Sequence, residues 1–283
     1  MPQAYSVTLG ADRRLHAVWA GVGPDLLLIH GALVTHHDWV CGPFDALAAR
    51  GRAIAVDRPG HGLSRRPRFA AEPARQAAQI REGLAGLGLE RPLIVAHSFG
   101  AMVALAYAAE RPEAVRGLVL LAPIAFPELR PLEHLLFARR AAPLIGPLLS
   151  EAARWSIDPG LLRLAQRQMF APQPVPEAWE ATFPYEQVLD PARLVDEGED
   201  AAAMLPGSPA ARIDFSRVTV PVAVLAGRAD RIVDPKRHAE RLAQALPSAD
   251  LTLLDDVGHM VHHAAAPAVL AAVDRLDGRT GRP

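Results

Sequence analysis

Residues 92–108 read Pro-Leu-Ile-Val-Ala-His-Ser-Phe-Gly-Ala-Met-Val-Ala-Leu-Ala-Tyr-Ala. An apolar run of strand length breaks at Ser98 and resumes with helical spacing. A serine on a tight turn between a buried strand and a helix fits the G-x-S-x-G pattern, in which the hydroxyl stands above a sheet as a nucleophile. Small residues are needed on both sides of such a turn because the two backbones pass close together. Gly100 meets the demand on the helix side. Ala96 stands where the pattern has its first glycine, and one methyl group still leaves room. Ser98 is therefore the candidate nucleophile; the plainer reading is a serine that only caps a helix.

The rest of the chain sets the bounds on that reading. Its 283 residues, 50% of them hydrophobic and 22% charged, suffice for one large core and are too apolar for wholesale disorder. A net charge of −1 without a basic run argues against nucleic acid as a partner. Cys41 is the only cysteine, so an intramolecular disulfide framework is excluded. The first twenty residues contain Asp12, Arg13 and Arg14 and no apolar core, unlike a secretory signal. The longest apolar stretch, residues 118–126, is about half a membrane span and contains Pro123. A cytoplasmic protein with no membrane span is expected. Of thirty cationic residues only Lys236 is lysine, a bias toward arginine to which no function attaches.

Strand signals at 6–9 and 15–20 flank Gly10-Ala11-Asp12 as an opening hairpin. Apolar runs at 25–30, 53–57, 93–96 and 118–122 follow, and 222–226 and 251–254 resume the pattern. Strands alternating with helical segments predict a mainly parallel central sheet flanked by helices. Residues 124–213 differ: helical apolar runs at 132–145 and 161–170 are separated by many prolines, with no strand-like alternation. They predict a helical cap inserted into a core formed by residues 1–123 and 214–283, with no internal repeat and no low-complexity linker.

A serine hydroxyl needs a base, usually a histidine steered by a carboxylate. His259, in Asp-Val-Gly-His-Met beyond the last expected strand, is placed to swing over the turn, and Asp230 follows the strand at 222–226. Asp234 before Pro235 reads better as a helix cap, and Ala122-Pro123-Ile124 offers no carboxylate after the preceding strand. Backbone N–H groups of Phe99, after the nucleophile, and Ala32, in His30-Gly31-Ala32, are the candidate oxyanion donors. The plainer reading of His30-Gly31 is a strand terminator. His259, His262 and His263 contain metal-ligand side chains but no acidic or cysteine partner at ligand spacing, so no metal is expected. Gly21-Val-Gly23 lacks the third glycine of a dinucleotide site, and no cofactor is expected.

His30-Gly31 with Trp39, Asp57-Arg-Pro-Gly-His-Gly-Leu-Ser64, Ala-His-Ser98-Phe-Gly, Gly-Arg-Ala-Asp230 and Gly-His259 occur in the order of the α/β-hydrolase superfamily. The chain resembles its cap-bearing esterase and non-haem haloperoxidase-like branch. The resemblance covers nearly everything outside the cap, and it implies the α/β-hydrolase fold with the triad and oxyanion roles just given. An aspartate nucleophile would suggest a dehalogenase or epoxide hydrolase, and the serine speaks against both. Prolyl aminopeptidase-like relatives carry Gly-Gly-Pro-Gly where this chain has Gly31-Ala-Leu-Val-Thr. Asp57-Arg-Pro-Gly-His-Gly is expected to shape a turn near the site without chemistry of its own. The expected activity is hydrolysis of a carboxylic ester or related small acyl substrate. The alternatives on the same triad are carbon–carbon hydrolysis, lactone opening and perhydrolysis, or ligand binding without turnover. Leu135, Leu136, Phe137, Leu148, Leu149, Trp155, Met169 and Phe170 are the candidate pocket residues, and they suggest an apolar substrate group.

Overall fold

Short apolar runs become strands wherever both of their faces can be covered. In the computed structural model, which describes residues 2–129, 131–154, 156–208 and 212–280, eight strands form one sheet. They are β1 (Gln3–Thr8), β2 (Arg14–Ala20), β3 (Asp25–Ile29), β4 (Arg52–Val56), β5 (Leu93–His97), β6 (Gly117–Leu121), β7 (Val222–Gly227) and β8 (Ala249–Leu254). The order across the sheet is β1-β2-β4-β3-β5-β6-β7-β8. β1 pairs β2 antiparallel, as the opening hairpin requires, β2 also pairs β4 antiparallel, and every later pairing is parallel.

Alternate side chains sort to opposite faces with the strand period of two. Leu27, Ile29, Ile54, Val56, Ile94 and Ala96 pack under helices α1 (Pro73–Leu84) and α2 (Phe99–Glu110). Leu26, Leu28, Ala53, Ala55, Leu93 and Val95 meet Trp39, Phe44 and the C-terminal helix Ala266–Thr280 on the other face. Each fully buried leucine or isoleucine contributes about 2 kcal/mol. α2 is buried almost all round, from Phe99 to Ala109, because it is rich in alanine and lies directly on the sheet.

Between β6 and β7 the described residues form helices and irregular turns and contain no strand: Pro131–Leu136, a tight turn at Ala138–Ala141, α3 (Ile145–Ala153), α4 (Asp158–Phe170), two short helices at Glu177–Thr182 and Tyr185–Val188, and α5 (Pro191–Ala203). The helical run expected over 132–145 is broken. Ala142 takes ψ 130° ahead of Pro143, since the proline ring disfavours a helical residue before it. Among the described residues no helix is long and apolar enough to cross a membrane.

α5 starts with Pro191 in its first turn and with Asp190 accepting from the Ala192 N–H at 2.9 Å. Its acidic run Asp196-Glu-Gly-Glu-Asp200 would suit a solvated face, yet all four carboxylates are buried. Their partners come from the loop after β4 and the start of α1. Arg58 and Arg66 donate to the two oxygens of Asp200 at 2.6 and 2.7 Å, and Gln76 adds a bond of 3.0 Å. Arg68 and the Phe69 N–H hold Glu199 at 2.5 and 3.0 Å. Burial alone would push the Asp200 carboxyl up, but Arg66 and Arg58 outweigh it and bring it down to about 2. A depressed acid stabilises the fold above its ordinary range near 4 and loses that contribution as pH falls toward the depressed value. Asp200→Asn should therefore cost about 3 kcal/mol at neutral pH by leaving two arginines unanswered. Denaturant titrations of both proteins should show this gap constant down to about pH 4 and shrinking below it.

Candidate active site

The turn between β5 and α2 places Ser98 at φ 53° and ψ −121°, a backbone region that residues with a Cβ avoid. Three bonds hold it there. The Ser98 N–H donates to Leu121 O at 2.9 Å, and Ser98 O accepts from Ala101 and Ile124 at 3.0 and 3.1 Å. Gly100 has no alternative: a Cβ there would stand 2.5 Å from His30 O and 2.7 Å from Ile29 O. Such strain costs about 1–3 kcal/mol. Ser98→Gly, which relieves it, should be about 1 kcal/mol more stable to denaturant than Ser98→Ala, which does not.

Above the turn, Ser98 Oγ donates to His259 Nε2 at 3.0 Å, and His259 Nδ1 donates to Asp230 Oδ2 at 2.8 Å. The three residues come from the loops after β5, β8 and β7, so the parallel sheet brings together positions far apart in the chain. The other oxygen of Asp230 accepts from the Ile232 and Val233 N–H groups at 2.8 and 2.9 Å. Burial pushes the Asp230 carboxyl up, but His259 and these two amides hold it below the usual range. Asp234, the rival carboxylate, accepts from the Lys236 N–H at 2.8 Å and caps the next turn instead. His97 Nε2 donates to His259 O at 3.1 Å, and its ring packs between those of His259 and His262 at 4.7 and 4.6 Å. Burial, with His262 and His259 beside it, pushes His97 well below 6.5, so it stays a neutral brace.

His30-Gly31 does more than end a strand. His30 Nδ1 donates to Gly31 O at 2.8 Å, and Nε2 accepts from the Arg58 N–H at 2.9 Å. An accepting Nε2 requires the neutral ring, and burial together with Arg58 brings the His30 pKa down to about 3. The Arg58 guanidinium donates to His30 O and Gly31 O, both at 3.1 Å, and lies 4.6 Å from the Phe99 ring centroid. The loop after β4 thus ties the 30–32 turn to the start of α2. No described group accepts from the Ala32 or Phe99 N–H; the latter is one of the free amides of a first helical turn.

A cavity of about 500 Å³ opens over Ser98, His259 and Ala32. Leu136, Phe137 and Met169 line it as expected, joined by Leu161, Leu164, Ile124 and Ile232. Other pocket expectations are corrected. Leu135 and Leu148 are 64% and 71% exposed, on separate short helices that end at Leu136 and begin at Ile145 rather than on one continuous run. Leu149 is not in the wall, and Phe170 packs edge-on against Trp179 at 5.0 Å. Trp155 lies outside the described residues. Sequence reasoning missed Glu197 in the wall; its only signal was the acidic run in which it sits.

His262 and His263 do not join His259. Their Nε2 atoms donate to Asp38 Oδ2 and Oδ1 at 2.9 and 2.8 Å. Burial would raise the Asp38 carboxyl, but the two histidines hold it well below its ordinary value. Asp38, His262 and His263, and likewise His16, His36 and Asp57, each bring three ligand atoms within 4.8 Å of one another. In the first group the atoms are already engaged in N–H···O bonds of 2.8–2.9 Å; in the second, His36 Nδ1 donates to Asp57 Oδ1 at 2.9 Å and His16 Nδ1 bonds to Ser6 Oγ at 2.7 Å.

Residues 26–273 match the family described as the alpha/beta hydrolase family, and the chain belongs to it. An uncharacterized protein of Mycobacterium tuberculosis is 30% identical over 271 residues, spanning 91% of this chain and 76% of that one. Among solved structures, a thermophilic esterase from Thermogutta terrifontis superposes with TM-score 0.73 at 21% identity, covering 98% of this chain and 99% of the other. The 2-hydroxy-6-oxo-6-phenylhexa-2,4-dienoate hydrolase of Rhodococcus sp. strain RHA1 gives TM-score 0.78 at 22% identity, covering 98% of each chain. At such identities the structural likeness is one of fold.

Proposed function

We propose that this hydrolase is a serine enzyme that cleaves a carboxylic ester or related small acyl substrate through an acyl-enzyme. The observation that carries the reading is the continuous relay of 3.0 and 2.8 Å from Ser98 through His259 to Asp230, opening on an apolar cavity. Ser98 Oγ attacks the carbonyl carbon while its proton passes to His259 Nε2, and Asp230 stabilises the imidazolium. The carbonyl oxygen becomes an oxyanion and accepts from the Ala32 and Phe99 amides. Collapse of the adduct breaks the bond to the leaving alcohol, which takes the proton from His259. Water then attacks the acyl-serine, His259 again accepting the proton, and the acid is released with Ser98 restored.

Acyl transfer suits a serine better than displacement at a halide-bearing or epoxide carbon. Attack there would leave an ether on Ser98 that neither water nor His259 could cleave. We read residues 124–213 as a lid, because the cavity takes Leu136, Phe137 and Met169 from this segment and Ser98 and His259 from the sheet side.

A fluorophosphonate probe should label the wild-type protein and leave Ser98→Ala unlabelled; labelling that persists in the variant would discard the assignment. Asp230→Asn should lower kcat on a nitrophenyl ester by about 10⁴-fold, since Nδ1 would no longer hold the correct tautomer, with KM changed far less. A loss of tenfold or less in steady-state assays would count against Asp230.

A further inference from the structure

The cavity is not uniformly apolar. Besides Ser98 and His259, its polar wall residues are Gln168, Arg231 and Glu197, of which the first two are exposed and the third is only 7% exposed. Asp196, Glu199 and Asp200, the other acids of α5, engage arginines away from the cavity. Glu197 alone reaches it. Its Oε2 is occupied: the Leu33 N–H donates to it at 3.1 Å, and His61 Nε2 lies 3.1 Å away. Its Oε1 accepts no hydrogen bond from any described residue. The carboxylate is also rigidly placed, because α5 is tied to the sheet side on either side of it through Arg66 and Arg58.

Glu197 lines both this cavity and a small pocket beside His61 and Arg193, and Oε1, bonded to no described residue, is left to solvent or a ligand. A wholly apolar ligand would drive solvent out and strand a buried acceptor, a loss of the kind that makes a polar site reject analogues lacking the matching group. A ligand with a donor at that spot would keep the bond. The geometry points to Glu197 as a specificity-determining residue: Oε1 accepts from a hydroxyl or protonated amine on the substrate. The preferred substrates are then acyl compounds with an apolar body that carries one such donor. This rests on the serine-hydrolase reading for the reaction and adds the class of compound.

The test uses alkyl fluorophosphonates of matched and graded chain length, ending in a hydroxyl, a protonated amine or a methyl group, with the rate of Ser98 modification as readout. At the chain length that spans the cavity, the hydroxyl or the amine probe should react about tenfold faster than its methyl counterpart. Which of the two leads identifies the donor as alcohol or ammonium. In Glu197→Gln the amide oxygen must stay on the Leu33 N–H, which turns the NH₂ group into the cavity. The donor advantage should vanish there, and a probe ending in a methyl ketone should gain instead. A purely structural role for Glu197 would slow all probes in the same proportion and leave their ratios unchanged. Equal rates for the three wild-type reactions at every chain length would overturn the role of Glu197 alone. No labelling by any probe would overturn the serine-hydrolase reading and this one with it.

Discussion

The left-handed turn at Ser98 is the constraint on which the site depends. A residue with a Cβ holds φ 53° only where its surroundings leave no other choice. Here the peptide of Ser98 is bonded on both sides, and Gly100 lets α2 begin directly on the carbonyls that end β3. The hydroxyl is therefore raised by the crossing of strand and helix rather than by a flexible loop. His97, one residue earlier, is turned under the site, where it props the backbone of His259.

Neutral and charged groups divide the work around this turn. His30 and His97 stay uncharged in the interior, His30 connecting backbone segments through both ring nitrogens and His97 through Nε2. A neutral hydrogen bond of this kind contributes about 1 kcal/mol, and its value here is orientation. Charge is concentrated in the dyad of Asp230 and His259 and in the seam between α5 and the loop after β4. A lone charge left in that seam costs several times more than a lost neutral bond, so the seam specifies one docking of α5.

Most of the sheet was legible because burial on both faces imposes continuous apolar runs, and β3, β5, β6 and β7 read that way residue by residue. Ser98 and Asp230 were legible because each follows such a strand, and His259 because it lies in Gly-His just beyond the half-buried edge strand β8. The helical segment was harder. One helix ends at Leu136 and the next begins at Ile145, and periodicity alone could not say that Leu135 and Leu148 would face outward. The acidic run of α5 was opaque for another reason. Its partners Arg58, Arg66 and Arg68 lie some 130 residues upstream, and only the fold makes the signs meet. Asp57-Arg-Pro-Gly-His-Gly, expected to shape a turn near the site, also carries Arg58 and His61, which brace the 30–32 turn and Glu197; these contacts have no sequence signal.

That seam makes the roof of the cavity asymmetric. α5 behaves as a door jamb, bolted by ions in a dry joint that salt scarcely weakens. α4 is held differently: Asp158 and Gln166 bond to Arg140 and Tyr185 of the same helical segment, Phe170 packs against His263 at 5.2 Å, and Leu164 presents an apolar edge to the opening. The wall that carries Glu197 is therefore the side of the cavity that buried charge holds in place.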